Sequence, residues 1–373
     1  MKRLRKNFTF LLLFVVVSGI IPMIVSCQQA VDKQKPATEG VAQTSQQDTN
    51  RSVLNGTPSP AAAGQEPQNP SGSAPGKKLD HPVVLDRDFK NDPNNKNSKM
   101  LNAFAKNSVA NLGPTAKVNT NPDQKKAYEL YLSGSKKSGD GDQKGAIEDF
   151  TQSLNLYKMP GVYMKRGFAE LLSEDYTSAL NDLNEVIKMD PKLERAYFGR
   201  GVCRFELKDF KTAEEDFKVF IEKDKTTAVA YNYLAGCRFM QQDFKGALEN
   251  YEMVAKLDPK YPDVYTNRGM MKHYLNDLKG AVEDYNRALA IDPDNSTAYN
   301  NRGGAKLNQK DFKGALEDFD KAISLKNDYA DAYDNRGKAK LNLGDKTGAC
   351  EDWQKANSLG LDISRELIIK YCK

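Results

Sequence analysis

The fold of this chain is decided by residues 296–319, which read STAYNNRGGAKLNQKDFKGALEDF. Close copies of this stretch recur upstream and once downstream. A fixed period of 33 to 34 residues is typical of a repeated supersecondary unit, so the chain from residue 122 onward reads as seven copies of one unit. The alanine Ala315 marks the register, and its counterparts, one 33-residue interval and five 34-residue intervals apart, are Ala146, Ala179, Ala213, Ala247, Ala281 and Ala349.

Each unit predicts two helices joined by a tight turn, when it is numbered so that the recurring alanine is position 20. Position 8 is glycine in six units and alanine in the fourth, so the two helices can approach closely at positions 8 and 20. Tyrosine at position 4 and a large apolar residue at position 24 would fill the space beside that contact. An aspartate at position 16 is a suitable N-cap for the second helix. Three units end in proline, at Pro191, Pro259 and Pro293.

This pattern resembles the tetratricopeptide repeat, a family of paired-helix units. The resemblance implies an all-α fold, a right-handed α-solenoid of seven helix pairs with a C-terminal capping helix. We expect the cap at residues 362–372, within a repeat domain that spans residues 122–373. The expected repeats are residues 127–159, 160–193, 194–227, 228–261, 262–295, 296–329 and 330–361.

Residues 1–26 read as a targeting segment. Residues 1–6 are basic and residues 8–25 are largely apolar, with a strongly apolar part that is short for a bilayer span and suits a signal peptide. Residues 24–27, Ile-Val-Ser-Cys, resemble the lipobox of bacterial lipoproteins. That resemblance implies cleavage before Cys27, a diacylglycerol thioether on its sulfur and a fatty acid such as palmitate on its amine. The alternatives are a plain secretory signal and an uncleaved anchor.

Residues 27–121 predict a disordered tether behind this anchor. The segment is rich in Gln, Asn, Ser, Pro, Gly and Lys, and it cannot bury enough apolar surface to offset chain entropy. Residues 82–104 are less polar, and they read either as more of the same linker or as a short segment that folds on a partner.

A charge pairing is visible inside the repeats. Position 7 is arginine and position 23 is aspartate in the same five units, whereas both change together in the fourth, to Leu234 and Asn250. We predict that each arginine reaches an aspartate across the helix pair, because the planar guanidinium suits bidentate carboxylate binding. The alternative is solvated charge on an outer face. The predicted pairs are Arg166 with Asp182, Arg200 with Asp216, Arg268 with Asp284, Arg302 with Asp318, and Arg336 with Asp352.

The tetratricopeptide resemblance places partner contacts on the concave face, at positions 2, 5, 9, 12 and 13. This implies a groove that is apolar and aromatic in its first half and rich in amides in its second half. The alternative for the aromatic side chains is packing between neighbouring first helices. The residues that the resemblance assigns to the groove are Phe168, Phe198, Phe205, Asn232, Phe239, Thr266, Met270, Tyr274, Asn300, Asn308, Asp334, Lys338 and Asn342.

Four further cysteines lie within the repeats. Cys203 and Cys237 share position 10 with alanines of other units, so we expect small buried packing residues. Cys350 lies in the last unit and Cys372 at the end of the cap helix. In an oxidising compartment these two could form a disulfide that pins the cap.

The composition narrows the function. A net charge of +5 without a dense basic run in the repeats gives no argument for nucleic-acid binding. The sequence lacks a phosphate loop, metal-ligand spacing or a catalytic triad pattern, so we expect neither an enzyme nor a cofactor. The leading hypothesis is a lipid-anchored scaffold that binds protein or peptide partners in a bacterial cell-envelope assembly, on the periplasmic side of the outer membrane. The alternative is a surface lipoprotein that binds host or extracellular components.

Overall fold

A computed structural model describes residues 121–260 and 262–372. The predicted signal peptide, the lipidation site Cys27 and the tether up to residue 120 lie outside these described residues. Within them the chain forms fifteen α-helices and no strands. Their bounds are α1 Pro122–Gly139, α2 Gln143–Leu156, α3 Pro160–Leu172, α4 Tyr176–Met189, α5 Glu194–Glu206, α6 Phe210–Lys223, α7 Ala228–Met240, α8 Phe244–Leu257, α9 Pro262–Tyr274, α10 Leu278–Ile291, α11 Ser296–Asn308, α12 Phe312–Leu325, α13 Ala330–Asn342, α14 Lys346–Ser358 and α15 Ile363–Tyr371.

The first fourteen helices form seven pairs, which confirms the predicted α-solenoid. Each helix packs against the next one in the chain, and the first helices of neighbouring units also touch. The helix α15 packs on α14 and ends the stack. No helix of residues 121–260 and 262–372 combines the length and the apolar character that a membrane span needs.

The second helix of every unit begins at the predicted aspartate. In α12, for example, the Asp311 carboxylate accepts a hydrogen bond from the Gly314 amide at 3.0 Å. Such a cap is worth about 1 kcal/mol. The same bond recurs at Asp142, Asp175, Asp209, Asp243, Asp277 and Asp345.

Close helix contact within a unit depends on position 8. A Cβ on Gly303 would lie 2.7 Å from Cε1 of the Phe319 ring, a distance that requires the ring to move. The adjacent Gly304 has more room, since a Cβ there would meet nothing nearer than the His273 ring at 3.7 Å. Ala315 is fully buried on the opposite helix. Glycine at position 8 is therefore required by the packing of the two helices.

The cysteines fall into two groups. Cys203 and Cys237 are buried free thiols on α5 and α7. Cys350 on α14 and Cys372, directly after α15, are joined by a disulfide with a Cα–Cα distance of 5.7 Å.

Candidate functional site

The first helix of each unit is held in place by an arginine at position 7. Arg302 binds Asp318 through two parallel hydrogen bonds, from Nε to Oδ2 at 2.9 Å and from Nη2 to Oδ1 at 2.6 Å. Its guanidinium carbon lies 5.3 Å from the centroid of the Tyr299 ring at position 4. The structure joins all five predicted pairs in this way, and the other four are Arg166–Asp182, Arg200–Asp216, Arg268–Asp284 and Arg336–Asp352.

The same arginine also binds the preceding unit, which the sequence reasoning missed. Arg302 Nη1 donates to Asn286 Oδ1 at 2.6 Å, and Asn286 lies on α10, the second helix of the unit before. Arg336 reaches Asp320 of its preceding unit at the same distance. The arginine therefore fixes both the fold of its own unit and the stacking of that unit on its neighbour.

A second cation at position 11 was also missed, although its repeat at intervals of 34 residues is visible in the sequence. Lys306 Nζ lies 2.8 Å from Asp318 Oδ2, so this buried carboxylate is held between two positive groups. Full pairing of this kind is what offsets the desolvation of a buried carboxylate. The equivalent contacts are Lys137–Asp149, Arg204–Asp216, Lys272–Asp284 and Lys340–Asp352.

The second unit departs from this scheme, because position 11 is the acid Glu170. Its side chain is buried, with Oε1 3.7 Å from Arg166 Nε and Oε2 without a partner. Arg166 already serves Asp182, so one guanidinium faces two carboxylates. Burial, and then the charge of Asp182, raises the pKa of Glu170 to about 8, although Arg166 opposes the shift and Asp175 adds to it. Glu170 is therefore protonated at neutral pH.

The predicted groove residues divide into two sets in the structure. Seven of the thirteen are buried inside the stack, so as lining of an open surface they are corrected: Phe168, Phe198, Asn232, Thr266, Met270, Asn300 and Asp334. The physical reason is that the first helices of neighbouring units touch, which encloses most side chains at positions 5 and 9. Phe168, Phe198 and Met270 belong to the hydrophobic core clusters.

The other six remain partly or fully exposed, and they share a location. They occupy positions 9, 12 and 13, which form the last turn or two of the first helices of units 3 to 7. Met240, at position 13 of the fourth unit, is 40% exposed and lies among them. We call this set the exposed strip, and its members in chain order are Phe205, Phe239, Met240, Tyr274, Asn308, Lys338 and Asn342.

The apolar half of the exposed strip is built on stacked rings. Tyr274 stacks on Phe244 with ring centroids 4.5 Å apart and planes 5° from parallel. Phe239 packs against both rings, at 5.9 Å from Tyr274 and 6.0 Å from Phe244. One unit earlier, Phe205 makes an edge contact with Phe210 at 5.4 Å. Held between other rings, these side chains lose little further conformational entropy on binding a partner.

The polar half carries amides in place of rings. Asn308 Nδ2 lies 2.6 Å from Nε2 of His273, which is fully buried. Burial lowers the pKa of His273 to about 4, so its ring is neutral at physiological pH. Asn342 at the next unit is exposed, and Lys338 is paired with Asp334 at 2.8 Å. The amide half therefore presents no unpaired cation for an acidic C-terminal tail.

Beneath this half lies a row of buried polar side chains at positions 5 and 6. Asn335 Nδ2 donates to Asn300 Oδ1 across two units at 3.2 Å, and Asn300 Nδ2 donates to Asn301 Oδ1 at 3.3 Å. Several atoms of this region have no protein partner, namely both amide atoms of Asn232, Thr266 Oγ1, His273 Nδ1 and Asn335 Oδ1. Unpaired buried polar groups cost stability and are uncommon in folded proteins, so this end of the stack is not optimised for stability alone.

Comparison with known proteins identifies the repeats. Residues 166–228 and 296–329 match the family described as tetratricopeptide repeat, and residues 269–310 match a TPR repeat family. The chain therefore contains tetratricopeptide repeats. A search of curated proteins finds no significant match.

Solved structures share the fold. A tetratricopeptide repeat protein from Parabacteroides merdae is 16% identical with a TM-score of 0.51, and the match covers 67% of this chain and all of that one. The C-terminal part of a TPR repeat-containing protein from Cytophaga hutchinsonii is 17% identical with a TM-score of 0.51, covering 62% of this chain and 95% of that one. A MamA structure is 24% identical over 44% of this chain and 96% of its own, with a TM-score of 0.42.

The Glu170 geometry predicts a pH effect on stability. The pKa of Glu170 is about 8 in the folded protein and near its ordinary 4.5 in the unfolded chain. Between these values the folded state holds a proton that the unfolded state has lost, so stability falls as the pH rises through this window. Replacement Glu170→Gln removes this loss. We expect it to be nearly neutral at pH 4 and stabilising by about 2 kcal/mol at pH 9, since water still screens part of the charge.

Urea unfolding of both proteins across this pH range measures the effect. Glu174→Gln is the matched control, because Glu174 is an exposed acid of the adjoining turn. Equal pH profiles for Glu170→Gln and the unsubstituted chain would show that Glu170 is not the titrating group.

Proposed function

We propose that this chain is a non-enzymatic scaffold that binds extended segments of partner proteins along the exposed strip. The observation that carries the proposal is the change of chemistry along one edge of the stack. Rings and a methionine face outward in units 3 to 5, and amides face outward in units 6 and 7. A partner with apolar side chains at one end and free backbone amides at the other fits this order.

The spacing of the strip suggests the length of such a segment. Neighbouring packed helices lie about 8–10 Å apart, so five consecutive units extend over about 40 Å. An extended chain advances about 3.3 Å per residue, which gives a bound segment of roughly twelve residues. One side chain in about three would point into the strip.

Binding of a twelve-residue random peptide library displayed on phage tests this proposal. We expect enrichment of peptides with apolar residues at one end. Tyr274→Ala should weaken binding of an enriched peptide at least tenfold in fluorescence anisotropy, because it removes the exposed member of a stacked ring pair. Asn308→Ala should weaken it less, since it removes one hydrogen-bonding side chain.

Tyr157→Ala is the matched control, because Tyr157 is 43% exposed and follows α2, away from the exposed strip. The proposal fails if no peptide is enriched. It also fails if Tyr157→Ala weakens binding as much as Tyr274→Ala does.

We propose further that the repeats are anchored to a bacterial membrane by lipid on Cys27, on the periplasmic side of the outer membrane. The support is the order of a basic segment, an apolar segment and a cysteine within residues 1–27. Residues 28–31, Gln-Gln-Ala-Val, carry no acidic run of the kind that resembles a surface-export signal in some bacteria, which favours the periplasm over the cell surface. Assembly with other envelope proteins would then take place at the end of the tether.

Metabolic labelling with an alkyne-bearing fatty acid measures this anchoring. We expect label on the unsubstituted chain and none on Cys27→Ser, which should also leave the membrane fraction. Cys203→Ser should keep the label, because that thiol is buried within the repeats. Label that persists on Cys27→Ser would contradict the anchor, and removal of the repeats by protease added to intact cells would contradict the periplasmic location.

A further inference from the structure

The helix α15 ends the stack in the place where an eighth unit would begin. It has nine residues and lies against α14. Ser364 Oγ donates a hydrogen bond to Asp334 Oδ1 at 2.8 Å, and the Tyr371 ring packs on Trp353 with centroids 5.7 Å apart. These contacts enclose Asp334 and Trp353, which are 1% and 0% exposed.

Apart from the disulfide, α15 is attached weakly. Among its described side chains, Ser364 is the one that is buried, whereas Ile369 is 56% exposed. A helix of this length is marginal in water unless packing supports it. The Cys350–Cys372 disulfide closes a segment of 22 residues around α15. The covalent bond is therefore the strongest tie between the cap helix and the last unit.

We propose that this disulfide is a redox latch, and that its reduction releases α15 from the end of the stack. The reductant is a dithiol, either a small molecule or the active-site pair of a redox protein. One of its thiolates attacks Cys372 Sγ to form a mixed disulfide, and Cys350 leaves as a thiolate. The second thiol of the reductant then displaces Cys372, so that two electrons and two protons pass to the protein and the reductant becomes a disulfide.

The four repeat cysteines differ in a way that makes this latch selective. Both disulfide cysteines are partly exposed, so a thiolate can reach them from solvent. Cys203 and Cys237 are buried, and burial raises the pKa of both thiols, that of Cys237 to about 12. They remain protonated and inert at neutral pH. Redox chemistry is therefore confined to the cap.

Opening of the cap changes the surface at the amide end of the exposed strip. Asp334 loses its bond from Ser364, and its carboxylate becomes accessible beside Lys338. One face of the Trp353 ring loses Tyr371. The reduced protein thus presents a carboxylate and an indole that the oxidised protein keeps covered.

Trp353 is the single tryptophan of the chain, so its fluorescence reports the cap directly. On addition of dithiothreitol to the purified chain we expect a red-shifted emission maximum and severalfold stronger quenching by acrylamide. Emission intensity is not the readout, because a disulfide itself quenches indole. Hydrogen exchange in α15 should become about a hundredfold faster, the effect of losing a cross-link over a loop of this size, while α1–α12 keep their protection.

Two variants separate the cap from other effects of the reductant. Cys372→Ser should show the open-cap readings without reductant, and Cys203→Ser/Cys237→Ser should respond to reductant as the unsubstituted chain does. The proposal is overturned if reduction leaves Trp353 shielded and α15 protected. It is also overturned if all helices lose protection together, since the disulfide would then support the whole stack rather than the cap.

Discussion

The rest of the structure depends on the buried contact between the position-7 arginine and the position-23 aspartate. Both charged groups are largely shielded from water; in the Arg302–Asp318 pair the side chains are 19% and 4% exposed. A charge in such a place is tolerated only when its partners are complete. The bidentate geometry, the tyrosine ring and the bond to the preceding unit complete them, and together they leave one arrangement of the two helices.

This constraint explains the two units that differ. In the fourth unit the arginine and aspartate are replaced together by Leu234 and Asn250, both buried, so no charge is left unmatched. Its position-11 residue Arg238 turns to Glu214 of the unit before, at 3.3 Å. In the second unit the extra acid Glu170 has no cation of its own, and it is accommodated by keeping a proton. Each departure is balanced by a local change in charge.

The period and the recurring small, aromatic and aspartate positions were enough to predict the solenoid, its seven pairs and the capping helix. Comparison of the units with one another also predicted which arginine faces which aspartate. Contacts between units were harder to predict, because the period describes one unit and says little about its neighbour. The bond from Arg302 to Asn286 was missed for this reason. Phe198 and Met270 were assigned to the groove from their positions, yet the adjoining first helices enclose them.

The most direct test of this account is a double-mutant cycle on Arg302 and Asp318, measured by urea unfolding. The replacements Arg302→Leu and Asp318→Asn reproduce what the fourth unit carries. We expect each single variant to cost about 3–5 kcal/mol, because it leaves a buried charge without its partner. The double variant should cost much less than the sum of the two, with a coupling of about 2 kcal/mol or more. Additive losses would show that the two side chains contribute independently and that their contact does not organise the stack.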